Sequence, residues 1–119
     1  MKHIIIADDD PSLRDAFELI FDGATYRITI LSEGESIVNH KYDDADAFIL
    51  DKQLSGMDGI EICRLLKKHP ATKHKPVLLI SASPDIHRLA KEAGADDYVE
   101  KPFRPKDLLQ KLEQVLSRR

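Results

Sequence analysis

The chain has 119 residues, of which 42% are hydrophobic and 33% charged, and its formal net charge is −3. This suits one globular domain with a buried core and excludes a disordered chain, while the acidic balance argues against direct contact with nucleic acid. No apolar run approaches the roughly 20 residues that span a bilayer, and the short run HIIIA, ending in acid, is no signal peptide. A single cysteine, Cys63, excludes an internal disulfide and fits a reducing cytoplasm.

The first apolar burst, HIIIA at 3–7, runs straight into Asp8, Asp9 and Asp10. Two unit charges about 5 Å apart cost roughly 3 kcal/mol at an effective dielectric near 20, so three adjacent carboxylates need a counter-charge or separate tasks. Asp10 precedes Pro11 and reads as the N-cap of a helix. Leu13, Ala16, Phe17, Ile20, Phe21 and Ala24 form its amphipathic face, with Gly23 near its end. YRITIL at 26–31 alternates polar and apolar, and a short helix between 33 and 42 rests on Ile37 and Val38. AFIL at 47–50 ends at Asp51, and Asp58-Gly59 forms a turn before a helix carrying Ile62, Leu65 and Leu66, with Cys63 packed on it. PVLLIS at 76–81 ends in Ser81. Ser83-Pro84 marks the start of a helix with Ile86, Leu89, Ala90 and Ala93, with Ser83 as N-cap and Gly94 near the end. DYVE at 97–100 leads into Lys101-Pro102, and Arg104-Pro105 opens a last helix with Leu108, Leu109, Leu112, Val115 and Leu116. His3, His40, His69, His74 and His87 show no metal-ligand spacing.

Strands alternating with helices imply right-handed βαβ units and a parallel sheet covered on both faces. HIIIA, AFIL and VLLIS are continuously apolar and read as interior strands, whereas YRITIL and DYVE are partly polar and read as edges. The order 2-1-3-4-5 satisfies this, giving a flavodoxin-like, doubly wound (βα)5 α/β fold whose ligands bind beyond the carboxyl ends of the strands. At those ends stand Asp8, Asp9, Asp51, Ser81 and Lys101. Neighbouring strands lie about 4.8 Å apart, so three carboxylates, a hydroxyl and an ammonium converge. Such oxygen donors suit a hard cation such as Mg²⁺. A carboxylate can also act as a nucleophile toward phosphorus, with metal and lysine neutralising the transferred group.

ADDDP, ILDKQLSGMDGIE, LLISAS and GADDYVEKPF, in this order and at these strand ends, make the whole chain resemble a receiver domain of a two-component response regulator. The resemblance implies that Asp51 is the phosphoacceptor for a sensor histidine kinase or phosphotransfer protein. Asp9 would bind Mg²⁺ directly and Asp8 largely through water. Asp51 and the backbone carbonyl of Gln53 would complete the metal site, with Ser81 and Lys101 contacting the phosphoryl group. It further implies a cis Lys101-Pro102 bond, a switch made of Ser81 and Tyr98, and rate-tuning positions at Gln53 and Ser83. The signal would emerge on the face of the fourth helix, fifth strand and fifth helix, read by a protein target, an output domain or a second copy.

Two residues depart from the family pattern. Lys52 stands where an apolar residue is usual and Ser55 where proline is, which implies a more flexible loop and, if Lys52 turns inward, an added charge at the site. No output domain is visible, and the end LSRR fits either a stand-alone receiver or a regulator cut before its linker. Asp96, Asp97, Lys91 and Lys111 allow pairing through the fourth helix and fifth strand, though Glu113 interrupts a usually basic stretch. A small aspartate-nucleophile phosphatase is a second reading, since Asp8 and Asp10 spell D-x-D, but Pro11 starts a helix at once. A phosphorylation-independent docking domain and a flavin-binding protein are further readings. The intact acids, serine and lysine argue against the first, and the lack of a glycine- or hydroxyl-rich phosphate loop against the second.

Overall fold

The computed structural model describes residues 1–22 and 26–118. Its elements alternate as β1 (Lys2–Ala7), α1 (Pro11–Ile20), β2 (Tyr26–Leu31), α2 (Glu35–Val38), β3 (Ala47–Asp51), α3 (Gly59–Lys68), β4 (Val77–Ser81), α4 (Ile86–Ala93), β5 (Asp97–Glu100) and α5 (Pro105–Ser117). All strand pairs are parallel and the order is β2-β1-β3-β4-β5, as the apolar patterning predicts.

Side chains alternate across each strand, so the interior strands feed two cores. Ile4 and Ile6, Ala47 and Ile49, and Leu78 and Ile80 pack with Phe17 of α1 and with Leu108, Leu112 and Val115 of α5. Ile5 and Ala7, Phe48 and Leu50, and Val77 and Leu79 pack with Ile37 of α2, with Ile62, Cys63 and Leu66 of α3, and with Ile86, Ala90 and Ala93 of α4. β3 and β4 are buried along their whole length, while β2 is half-buried and lies at an edge.

Several local expectations hold. Asp10 caps α1 by accepting from the Ser12 N–H, and Arg104-Pro105 opens α5. Gly94 ends α4 at φ 82°, the left-handed conformation that glycine adopts without penalty. Other expectations need correction. Ser83 does not cap α4: its hydroxyl accepts from the Asp85 N–H in a turn, and the helix begins at Ile86. Helix α2 is a single turn, stopped when His40 takes the left-handed conformation at φ 65°. On α3 the stripe runs through Ile62, Cys63 and Leu66, and Leu65 is 40% exposed, because the helix is rotated to seat Cys63 against the Ala93 carbonyl. Gly23 and Ala24 lie outside the described residues.

Candidate functional site

Strand register brings the acids together. Ala7 pairs with Leu50, Asp51 with Ile80, and Ser81 with Glu100. The residues that follow, Asp8 and Lys101, therefore flank Asp51 and Ser81 across neighbouring strands. Asp8, Asp51 and Ser81 are buried; Asp9 is exposed.

The Lys101 ammonium donates to Asp51 Oδ2 at 2.8 Å and lies 3.6 Å from Asp8 Oδ2. The Gln53 N–H donates to Asp51 Oδ1 at 3.2 Å, and the Asp10 N–H to Asp8 Oδ1 at 2.9 Å. Asp8 Oδ2 is buried and has no hydrogen-bond partner among the described residues. Burial raises the Asp8 carboxyl to about 6, helped by the neighbouring Asp51 charge; the Asp10 N–H and the Lys101 charge oppose the rise. For Lys101, burial alone would depress the ammonium, but the hydrogen bond to Asp51 and the charges of Asp8 and Asp51 outweigh it and raise its pKa.

Donor atoms of Asp8, Asp9 and Asp51 lie within 4.8 Å of one another. An all-oxygen set with an unpartnered buried carboxylate oxygen fits a small hard cation. Beside it a cavity of about 260 Å³ is lined by Asp51, Gln53, Ser81, Ala82, Ser83 and Lys101. The Ser81 hydroxyl accepts from the Ser83 N–H at 2.9 Å, and the Lys101-Pro102 bond is cis. Tyr98 stands away from this cavity's lining: its ring stacks on His87 at 5.4 Å, and the Lys111 ammonium sits 4.7 Å over it.

The two departures from the family pattern resolve as specific contacts. Lys52 turns away from the acids and pairs with Asp58 at 3.2 Å, at the start of α3. Ser55 donates to Asp9 Oδ2 at 3.0 Å and forms an isolated β-bridge with Glu33, contacts that link the loop after β3 to the acidic site and to the start of α2. Sequence reasoning also passed over Gly59, read only as turn chemistry. Its N–H donates to the Lys52 carbonyl at 2.7 Å, and a Cβ there would lie 2.1 Å from the Asp51 carbonyl oxygen. Only glycine lets α3 start this close to the end of β3, and the Asp-Gly pair was the visible signal.

Comparison with known proteins agrees with this geometry. Residues 4–113 match the profile of the response regulator receiver domain. The DNA-binding response regulator MtrA of Mycolicibacterium smegmatis is 33% identical over 98% of this chain and 51% of its own length. The transcriptional regulatory protein CseB of Streptomyces coelicolor is 34% identical over 98% of this chain and 50% of its own. The chain thus spans about half the length of the curated relatives it matches. A crystal structure assigned as a response regulator from Chloroflexus aurantiacus superposes with a TM-score of 0.89 at 35% identity, covering 98% of both chains. The chain therefore belongs to the receiver domains of two-component response regulators, CheY-like phosphoacceptor modules.

Proposed function

We propose that Asp51 accepts the phosphoryl group and that Asp8, Asp9 and Asp51, with the Gln53 carbonyl, hold Mg²⁺. The observation that supports this best is the convergence of three carboxylates, one with an unpartnered buried oxygen, on a cavity that Lys101 enters. In the reaction an Asp51 carboxylate oxygen forms a bond to phosphorus as the bond from phosphorus to a donor imidazole nitrogen breaks; that nitrogen keeps the electron pair and takes a proton from water. Bound Mg²⁺ would supply charge neutralisation for the phosphoryl oxygens. Lys101 already lies on Asp51 and needs only a small displacement to reach a phosphoryl oxygen. The Gln53 N–H holds the other carboxylate oxygen.

The phosphodonor would be a sensor histidine kinase or a phosphotransfer protein. An apolar groove of about 740 Å³ borders the site between α1 and the start of α5, lined by Leu13, Ala16, Leu19, Ile20, Phe103 and Pro105 among others. Leu19 is 76% exposed on it, an arrangement that suits docking of an apolar helix from the donor. Ser81, released from the Ser83 N–H, would turn to the phosphoryl group, and Tyr98 would repack between α4 and α5. Gln53 and Ser83 line the cavity and would set how fast water removes the phosphoryl group.

The altered α4-β5-α5 face would be read by a cytoplasmic protein target or a linked output domain. Several relatives are named as DNA-binding or transcriptional regulators, and the chain covers about half of each. With a net charge of −3, this chain is assigned the signal-receiving part and not the DNA contact. Pairing of two copies through α4 and β5 has weaker support: Asp97 is held by Lys111 at 3.4 Å and Asp96 by Lys67 at 2.7 Å within one chain. Among the described residues no helix is long and apolar enough to cross a membrane.

The test is incubation with Mg²⁺ and a small phosphodonor, followed by intact mass. A hydroxylamine-sensitive gain of about 80 Da, as aspartyl-phosphate chemistry requires, is expected on the wild type and not on Asp51→Asn. No gain on the wild type, or the same gain on Asp51→Asn, would overturn the assignment.

A further inference from the structure

Three residues meet at the opposite end of the sheet from the acidic pocket, beside the amino ends of the strands. His40 and Asp43 lie in the connection entering β3 from its N-terminal end. His69 is the C-cap of α3, which leads toward β4. Their separation in sequence conceals a constellation that the fold assembles: His40 Nδ1 lies 3.3 Å and His69 Nε2 3.5 Å from the same oxygen, Asp43 Oδ2. The two imidazole rings stack with centroids 4.1 Å apart at 29°. Donor atoms of all three residues fall within 4.8 Å of one another.

From this geometry we infer a second cation site, formed by His40, Asp43 and His69, for a borderline divalent transition ion such as Zn²⁺. The donor chemistry decides the class of ion. Two imidazole nitrogens and one carboxylate suit Zn²⁺ and disfavour Mg²⁺, which takes oxygen. The spacing agrees. Ligand bonds of about 2.0–2.1 Å to a tetrahedral ion place donor atoms roughly 3.3–3.4 Å apart, near the two imidazole–carboxylate separations, and the stacked imidazoles would tilt to aim both nitrogens at one ion. Three protein ligands leave a position for water, and the side chains are reachable, at 52%, 24% and 37% exposure for His40, Asp43 and His69. The ion would sit at the C-terminal end of α3, where the helix dipole favours positive charge. Lys68 lines the adjoining groove.

The backbone is consistent with a side chain retained for its chemistry. His40 follows the last turn of α2 at φ 65°, with its N–H donating to the Ile37 carbonyl and that of Lys41 to the Ser36 carbonyl. Glycine is the usual residue in that left-handed position after a helix. Bound ion would pin the α2-β3 connection to the end of α3.

Isothermal titration of the whole chain with ZnCl₂, in excess Mg²⁺ to fill the acidic pocket, tests the inference. One Zn²⁺ per chain is expected, with affinity lowered at least about tenfold by His40→Gly and by His69→Gln separately, and unchanged in Asp51→Asn. His40→Gly relieves the left-handed strain and should keep or raise the melting temperature, so lost binding is not lost folding. Cu²⁺ in the same site should show two nitrogen couplings by electron paramagnetic resonance, and one in His69→Gln. No Zn²⁺ binding by the wild type, wild-type affinity in both histidine variants, or loss of binding in Asp51→Asn alone would overturn the site.

Discussion

Replacing Asp8 with asparagine should stabilise the metal-free protein while removing its response to Mg²⁺. Asp8 is fully buried, and its Oδ2 has no hydrogen-bond partner among the described residues. Its carboxyl is raised from 3.8 to about 6, net of the Asp10 hydrogen bond and the Lys101 charge that favour ionisation. At about 1.36 kcal/mol per tenfold change in proton affinity, the ionised group costs the fold on the order of 3 kcal/mol. The amide keeps the bond from the Asp10 N–H but adds an unpartnered N–H₂, which costs about 1 kcal/mol or more. A net gain of roughly 1–2 kcal/mol remains, or about 5–10 °C in melting temperature for a domain of this size. The sign follows from the raised pKa. The burden is fully present above about pH 6 and absent below 3.8, where both states are protonated, so the gain seen at about pH 7.5 should fade near pH 4. Mg²⁺ at ten times its dissociation constant should add about 1.4 kcal/mol to the wild type and far less to Asp8→Asn. Thermal and urea denaturation with and without Mg²⁺ at both pH values measure all of this. A metal-free Asp8→Asn less stable than wild type at about pH 7.5, or one stabilised equally by Mg²⁺, would refute the reasoning.

Gly59→Ala forces a Cβ to within 2.1 Å of the Asp51 carbonyl oxygen, which is backbone and cannot swing aside. A loss of about 1–3 kcal/mol or more is expected by urea denaturation, together with slower phosphorylation; an unchanged unfolding midpoint would contradict the close approach. Cys63 is buried, and burial pushes its thiol up to about 12. It should resist a thiol reagent at about pH 8 in the native protein and react promptly in denaturant, and prompt native labelling would show α3 opening where the packing predicts none. Leu19→Asp changes an exposed residue, so stability and small-donor phosphorylation should hold while transfer from a protein donor falls several-fold. Equal transfer to both proteins would place the donor elsewhere.

Much of this architecture was legible before any coordinates, because it follows from composition measured over short windows. Runs of Ile, Leu and Val that leave no polar face read as interior strands, and the half-polar runs as edges. The flavodoxin-like order satisfied those edges, and in it Asp8, Asp51, Ser81 and Lys101 converge at adjacent strand ends. Helix starts with a local chemical signature, such as Asp10-Pro11, were equally readable. The same signature misled at Ser83-Pro84, where the hydroxyl was taken up by a turn.

What the sequence alone determined was therefore whatever depends on neighbours in the chain: the strands and most of the helix caps, and the acids that end the strands. The tertiary structure decided what depends on partners far away. It rotated α3 so that Cys63 rather than Leu65 meets the core, turned Lys52 toward Asp58, and set Ser55 against Asp9. It also brought His40 and Asp43 to His69 across 26 or more residues of chain. A side chain's periodicity says which face it occupies. Only the packing of one element on another says which atoms of that face come within a hydrogen bond or a metal–ligand bond of each other.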